Sequence, residues 1–151
     1  MNAKEKLFWS IALPGFGQLL NGKYLKGFVF IFLEFLVNVQ AGLNKVIIFS
    51  FHGDIEQAII QADYQWLMFY PCLYLFAMWD AFKDAGGGRE PFSSLPFVFI
   101  AYFMTVGIVF STEVTIMGTL LGPIWLPLLS VIPGLMVGFF LKKVIKQKQT
   151  Y

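Results

Sequence analysis

Four long stretches of the chain are almost wholly apolar, at 27–43, 64–82, 95–111 and 120–141. Crossing the ~30 Å hydrocarbon core of a bilayer takes about 20 such residues in a helix, so each stretch predicts a transmembrane helix. A fifth apolar stretch, 7–20, is shorter and broken by Pro14-Gly15. It predicts a re-entrant or interfacial helix that dips into the membrane and returns. Polar positions between these stretches mark starts and turns. Asn2 followed by Glu5 forms a capping-box pattern, and Asn21-Gly22 is a turn dipeptide. Asp54 with Gln57 offers a second capping box, followed by Ile55, Ala58, Ile59 and Ala62 at helical spacing. That outer helix is expected to lie along the membrane surface before the chain enters the second span near Tyr64 and Trp66.

The predicted fold is therefore an all-α membrane protein with four transmembrane helices plus a short N-terminal re-entrant or interfacial helix. Its parts are a motif-bearing helical hairpin region at 1–85, a glycine-rich cytoplasmic linker at 86–94, and a second transmembrane hairpin with a basic tail at 95–151.

Charge orients this plan. With the front segment returning to its starting side, Lys4, Lys6, Lys23, Lys26, Lys83, Arg89, Lys142, Lys143, Lys146 and Lys148 share one side. Only Lys45 falls opposite, in the company of Asp54, Glu56, Asp63 and Glu113. Such an asymmetry is the positive-inside pattern and predicts a multi-pass protein of the cell membrane with both termini cytoplasmic. If 7–20 crossed, Lys4 and Lys6 would move outside and weaken the asymmetry. Leu7 to Leu13 after Lys4 and Lys6 also resembles the start of a signal peptide. Pro14-Gly15-Phe16-Gly17-Gln18 is no small-x-small cleavage site, so the segment is expected to be retained.

Composition agrees. Of the 151 residues, 58% are hydrophobic and 13% charged, against about 25% charged in ordinary globular proteins. Too few charges remain to coat a water-facing surface. A net charge of +2 does not point to nucleic acid. Cys72 is the only cysteine, which excludes an intramolecular disulfide or a multi-cysteine metal cluster.

The most patterned segment is Leu13-Pro14-Gly15-Phe16-Gly17-Gln18-Leu19-Leu20-Asn21-Gly22-Lys23-Tyr24-Leu25-Lys26-Gly27, answered at the end of the second span by Asp80-Ala81. This resembles a group of small bacterial and archaeal membrane proteins related to the two-transmembrane-segment domain family. Their pattern is Pro-Gly-x-Gly-Gln, then Asn-Gly, then Lys-Gly entering a span, and an Asp-Ala pair closing the next span. The resemblance covers residues 10–85. The Arg-Phe-Tyr core of the narrower family is absent, and 44–63 is a longer connection than the family's hairpin needs. The resemblance implies topology more than activity.

The residues of this motif, Pro14, Gly15, Gly17, Gln18, Asn21, Gly22, Gly27 and Asp80, also have a physical reading as a device that locks a helical hairpin. Backbone broken at membrane depth must find its hydrogen bonds in protein or water. Gly15 and Gly17 allow close helix approach, and Gln18 is placed to bond carbonyls freed near Pro14. Asp80 can accept from backbone amides at 21–24, or pair with Lys23 or Lys26. A ligand-binding role is the rival reading.

Glu34 lies near the middle of the first span, with Asn38 one turn later. A carboxylate at the bilayer centre costs about 3 kcal/mol, so it should face the bundle interior, either as a protonatable site on a permeation path or as a tyrosine-bonded packing group. His52, Asp54 and Glu56 form a polar cluster in the outer loop. One His without a second nitrogen ligand is weak for a metal, and no metal or cofactor is assigned. Gly118-x-x-x-Gly122 and Gly134-x-x-x-Gly138 match the small-residue pattern of close helix packing, while Pro123, Pro127 and Pro133 are expected to kink the last span. The C-terminal lysines serve as a membrane anchor that can also meet anionic headgroups or an acidic partner.

No catalytic motif appears, whether a phosphate loop, a Gly-x-Ser-x-Gly elbow or a His-Glu-x-x-His pattern. The expected function is that of an accessory, scaffold or regulatory component acting through protein or lipid contacts. Its expected partners are the lipid bilayer and either a membrane protein or further copies of itself. The alternative is a small transporter or permeation component using Glu34 and Asn38.

Overall fold

The structure, a computed structural model, describes residues 2–148. It is mostly helical. Helix α1 (Ala3–Ala12) opens with the capping box, Asn2 and Glu5 each accepting the other's backbone amide. A break at Leu13-Pro14-Gly15 leads into the short helix α2 (Phe16–Leu20). The front segment is thus two helices about a break, not one. A turn at Asn21-Gly22 then feeds α3 (Tyr24–Ala41).

The next apolar residues do not extend α3. Gly42, at φ +66°, donates its amide to the carbonyls of Asn38 and Val39 and ends the helix. A separate helix α4 (Leu43–Phe51) follows, so the long connection expected at 44–63 begins as helix. Asp54 then caps α5 (Ile55–Gln61) by accepting the Gln57 amide. The return bond that would complete a capping box is not made.

The second apolar stretch also divides. Asp63 caps α6 (Tyr64–Leu67) by accepting the amides of Gln65 and Trp66, and α7 (Phe69–Asp84) follows. The division at Met68 has a cause in Pro71, which has no amide to give the Leu67 carbonyl four residues back and whose ring crowds it. Beyond the linker come α8 (Leu95–Val109), a short antiparallel pair β1 (Thr115–Ile116) and β2 (Thr119–Leu120), and α9 (Gly122–Lys148).

One expectation about the last span needs correction, and its three prolines differ in their place. Gly118 and Gly122 are not a helical packing pair. Met117 and Gly118, at φ +51° and +80°, form the tight turn between β1 and β2, and both central residues carry the positive φ such two-residue hairpins require. Gly122 begins α9. Pro123 sits in the first turn, where a missing amide costs little, while Pro127 and Pro133 lie inside a helix that runs on through both.

Helix α8 packs most extensively on α9 and also on α7, which in turn holds α1, α2 and α3. Gly134 and Gly138 let α9 approach α8: a Cβ at Gly134 would lie 2.7 Å from the Ile100 Cα, and one at Gly138 2.5 Å from the Pro96 Cα. Helices α4 and α5 join the two ends of the chain by packing on α9. The Trp125 indole donates to the Ser50 carbonyl (3.0 Å).

Two helices, Tyr24–Ala41 and Gly122–Lys148, are long and apolar enough to cross a membrane. Only 28% and 17% of their apolar windows are buried. Phe28, Phe32 and Phe35 on α3, and Met136, Phe139 and Phe140 on α9, are 56–68% exposed.

Candidate functional site

The break at Pro14-Gly15 is the starting point. Pro14 is fully buried, and Gly15 stands at φ +105°, a conformation open to glycine and strained for other residues. A Cβ at Gly15 would lie 2.6 Å from the Gly27 carbonyl oxygen, and one at Gly27 would lie 3.1 Å from the Gly15 carbonyl oxygen and 2.4 Å from Leu19. The loop and the start of α3 therefore meet backbone to backbone. Gly17 serves for space: a Cβ there would strike the Ser10 hydroxyl and the Ala81 methyl, at 2.0 and 2.6 Å. It marks where α1, α2 and α7 converge. Gly22 serves for conformation, with φ +72° and nothing within 4 Å of an added Cβ.

The polar residues of α2 and the following turn then reach along one side of α7. Gln18 is fully buried; its Nε2 donates to the Ala77 carbonyl (2.8 Å) and to Asp80 Oδ2 (3.1 Å). Asn21 Nδ2 donates to the Ala81 carbonyl (2.8 Å), while its Oδ1 accepts from Lys6 Nζ (2.9 Å). Lys26 Nζ donates to Asp80 Oδ1 and Asp84 Oδ2, both at 2.8 Å. Asp80 thus pairs with Lys26, one of the two lysines the sequence offered, and takes its other bond from Gln18 in place of the amides at 21–24. Gln18 likewise serves α7, not the carbonyls near Pro14. Among the carbonyls that the break leaves without a helical donor, that of Ile11 accepts from the Tyr74 hydroxyl.

Glu34 is 6% exposed and faces α7, beside the phenols of Tyr70 and Tyr74. Its Oε2 is buried without a partner. Asn38 does not join it. The Asn38 amide donates to Asn44 Oδ1 (3.3 Å) and ties α3 to α4. Between the two helices, His52 ends α4 and Asp54 caps α5. Among the described residues no group of three His, Cys, Asp or Glu side chains is arranged to hold a metal.

Sequence reasoning overlooked Lys6, Tyr70, Tyr74 and Asp84. A signal was present: Tyr70, Tyr74, Ala77, Ala81 and Asp84 follow one another at three- and four-residue steps, the spacing of a single helix face. That face of α7 receives α1, α2 and α3.

The arrangement is a clamp at one end of the bundle, continued inward by a carboxyl and two phenols. No protein-family model, curated protein or solved structure matches the chain.

Proposed function

We propose that this chain is a multi-pass membrane protein with four crossings and cytoplasmic termini, working without catalysis as an accessory, scaffold or regulatory component through protein or lipid contacts. One observation carries the reading. The donors of Gln18 and Asn21 and the charges of Lys26, Asp80 and Asp84 are directed to one another or to α7 carbonyls, so the motif serves the fold before any ligand. The low burial of α3 and α9 supports a lipid setting, because the core helix of a water-soluble protein is mostly buried. Helices α7 and α8 are taken as the other two crossings from their place between α3 and α9 and from the charge asymmetry. The resemblance to relatives of the two-transmembrane-segment domain family fits the same topology.

Single cysteines replacing Asn2, Gly22, Glu56, Gly88, Thr115 and Lys148 in a Cys72→Ser background test the topology. Labelling from outside at 56 and 115 alone is expected. Labelling at 2 as well would make the front segment a fifth crossing, put Pro14-Gly15-Phe16-Gly17-Gln18 inside a broken transmembrane helix and favour the permeation reading below. A stable partner or lipid retained through mild detergent is expected, whereas solute flux by the partner-free protein in vesicles would overturn the accessory role.

One observation favours a second reading, that of a permeation component: the unpartnered, buried Oε2 of Glu34 beside Tyr70. Glu34→Gln should then change flux or its pH dependence at normal expression, and unchanged flux in both Glu34→Gln and Glu34→Leu removes that reading.

A further inference from the structure

Helices α7 and α8 leave an open apolar groove of about 630 Å³ between them. Cys72, Phe76 and Trp79 line it from α7, and Ser94, Val98 and Tyr102 from the α8 side. Its α8 wall runs from Ser94 to Thr105, about 16 Å of helix at 1.5 Å per residue. That is close to half of the ~30 Å hydrocarbon core, the depth of one leaflet. The Thr105 hydroxyl is turned back onto the Ala101 carbonyl (2.9 Å), which leaves the deep end apolar.

Beyond the Trp79 and Ser94 end of the groove the chain turns polar and carries two cations. The linker folds over that end: a Cβ at Gly88 would touch the Trp79 ring at 2.6 Å, and the Ser93 hydroxyl holds the Gly88 carbonyl (2.8 Å). Lys83 continues the Cys72, Phe76, Trp79 stripe by one further turn. Arg89 leaves the linker beside Gly88 and brings a guanidinium nitrogen within 3.5 Å of a Cβ built at Gly86, back toward the end of α7. Both cations are exposed. The neighbouring carboxylates are engaged elsewhere, Asp80 and Asp84 by Lys26, and Glu90 by Lys142 and Lys146. Lys83 and Arg89 are thus free to meet an external anion.

A slot about one leaflet deep, with two cations in the chain just beyond its Trp79 and Ser94 end, fits an amphiphile with an anionic head and a single-leaflet tail. A purely apolar partner helix would leave both cations unmatched. We propose that the groove holds one acyl chain of an anionic glycerophospholipid of the cytoplasmic leaflet, its phosphate on Lys83 and Arg89. The proposal rests on the membrane reading above and names the lipid contact within it.

Trp79 supplies the probe. The full chain, with Trp9, Trp66 and Trp125 changed to Phe, is reconstituted into nanodiscs in which either the phosphatidylglycerol or the phosphatidylcholine carries brominated acyl chains. Brominated phosphatidylglycerol should quench Trp79 at a lower mole fraction than brominated phosphatidylcholine. Lys83→Gln and Arg89→Gln should each reduce that preference roughly fivefold, the equivalent of about 1 kcal/mol per charge near the surface. Val98→Phe, at an exposed groove position, should weaken quenching by both lipids. Equal quenching by the two lipids in the parent overturns the proposal. So does efficient Cys72–Cys72 cross-linking between chains, which would put a second copy in the groove. If the triple substitution prevents folding, native mass spectrometry of the unsubstituted chain decides, with phosphatidylglycerol retained over phosphatidylcholine expected and equal retention overturning it. A chain that stays in the aqueous phase and is quenched by neither lipid overturns the membrane reading itself.

Discussion

Gly15 and Gly27 stand against each other so closely that neither can carry a side chain without meeting the other's carbonyl oxygen, at 2.6 Å from one side and 3.1 Å from the other. One glycine lies in the break between α1 and α2, the other in the first turn of α3. Their contact fixes how deeply the front segment sits against the bundle, and it makes unequal demands on the glycines of the motif.

Gly15→Ala combines a strained φ with a backbone clash and should cost about 1–3 kcal/mol. Gly22→Ala meets nothing within 4 Å and should cost about 1 kcal/mol from its φ alone. Thermal unfolding midpoints in detergent rank the two. Equal losses would mean that the Gly15–Gly27 approach does not hold the front segment.

Asp80 and Asp84 both accept from Lys26, but Asp80 alone also accepts from the buried Gln18 amide. Asp80→Ala should therefore cost about 1–3 kcal/mol, because a buried donor loses a partner. The Lys26 side chain is 46% exposed, so its pairing with Asp84 is screened and Asp84→Ala should cost less than about 1 kcal/mol. Denaturant titration of the two variants measures the difference. A larger loss at Asp84 would contradict the central place of Gln18.

Glu90 anchors the linker to α9 through Lys142 (2.9 Å), with Lys146 farther off (3.9 Å). The hydrogen bond from Lys142 and the two ammonium charges hold its carboxyl below the usual value of 4.5. A depressed folded value makes the contact complete above pH 4.5 and lost as the pH falls through the lowered value. Protease sensitivity of the linker should therefore rise in acid and in high salt. Glu90→Gln should be sensitive at every pH, and a linker equally protected in that variant would show that the ion pair does not tether it.

The two small-residue pairs should differ in the size of their loss, the second losing more. Gly134→Ala or Gly138→Ala presses a methyl onto the backbone of α8 and should cost about 1–3 kcal/mol. Gly118→Ala, in the turn with open space around it, should cost about 1 kcal/mol from its φ. Similar losses at Gly118 and Gly134 would overturn the close approach of α8 and α9.

Much of the local structure was legible in residue types. The capping box at Asn2 and Glu5, the cap at Asp54, the Asn21-Gly22 turn and the helical nature of the apolar stretches all follow from interactions within a few residues. Local signals could also have placed the divisions that were overlooked. Gly42 ends α3 because glycine accepts the left-handed conformation, and Pro71 divides the second stretch because it has no amide to give Leu67.

Hydropathy and charge order along the chain thus determined by themselves that long apolar helices exist, roughly where they lie, and where their ends are capped. These depend on chemistry that each residue carries with it. Only the tertiary structure decided that Gln18 and Asn21 bond the carbonyls of Ala77 and Ala81, that Tyr74 answers Ile11, and that Asn38 turns to Asn44 and not to Glu34. The physical reason is that every residue carries a backbone carbonyl, so no sequence pattern distinguishes the one that will be met. The depth and rotation at which α1, α2 and α3 settle on α7, set by Gly15, Gly17 and Gly27, make that choice.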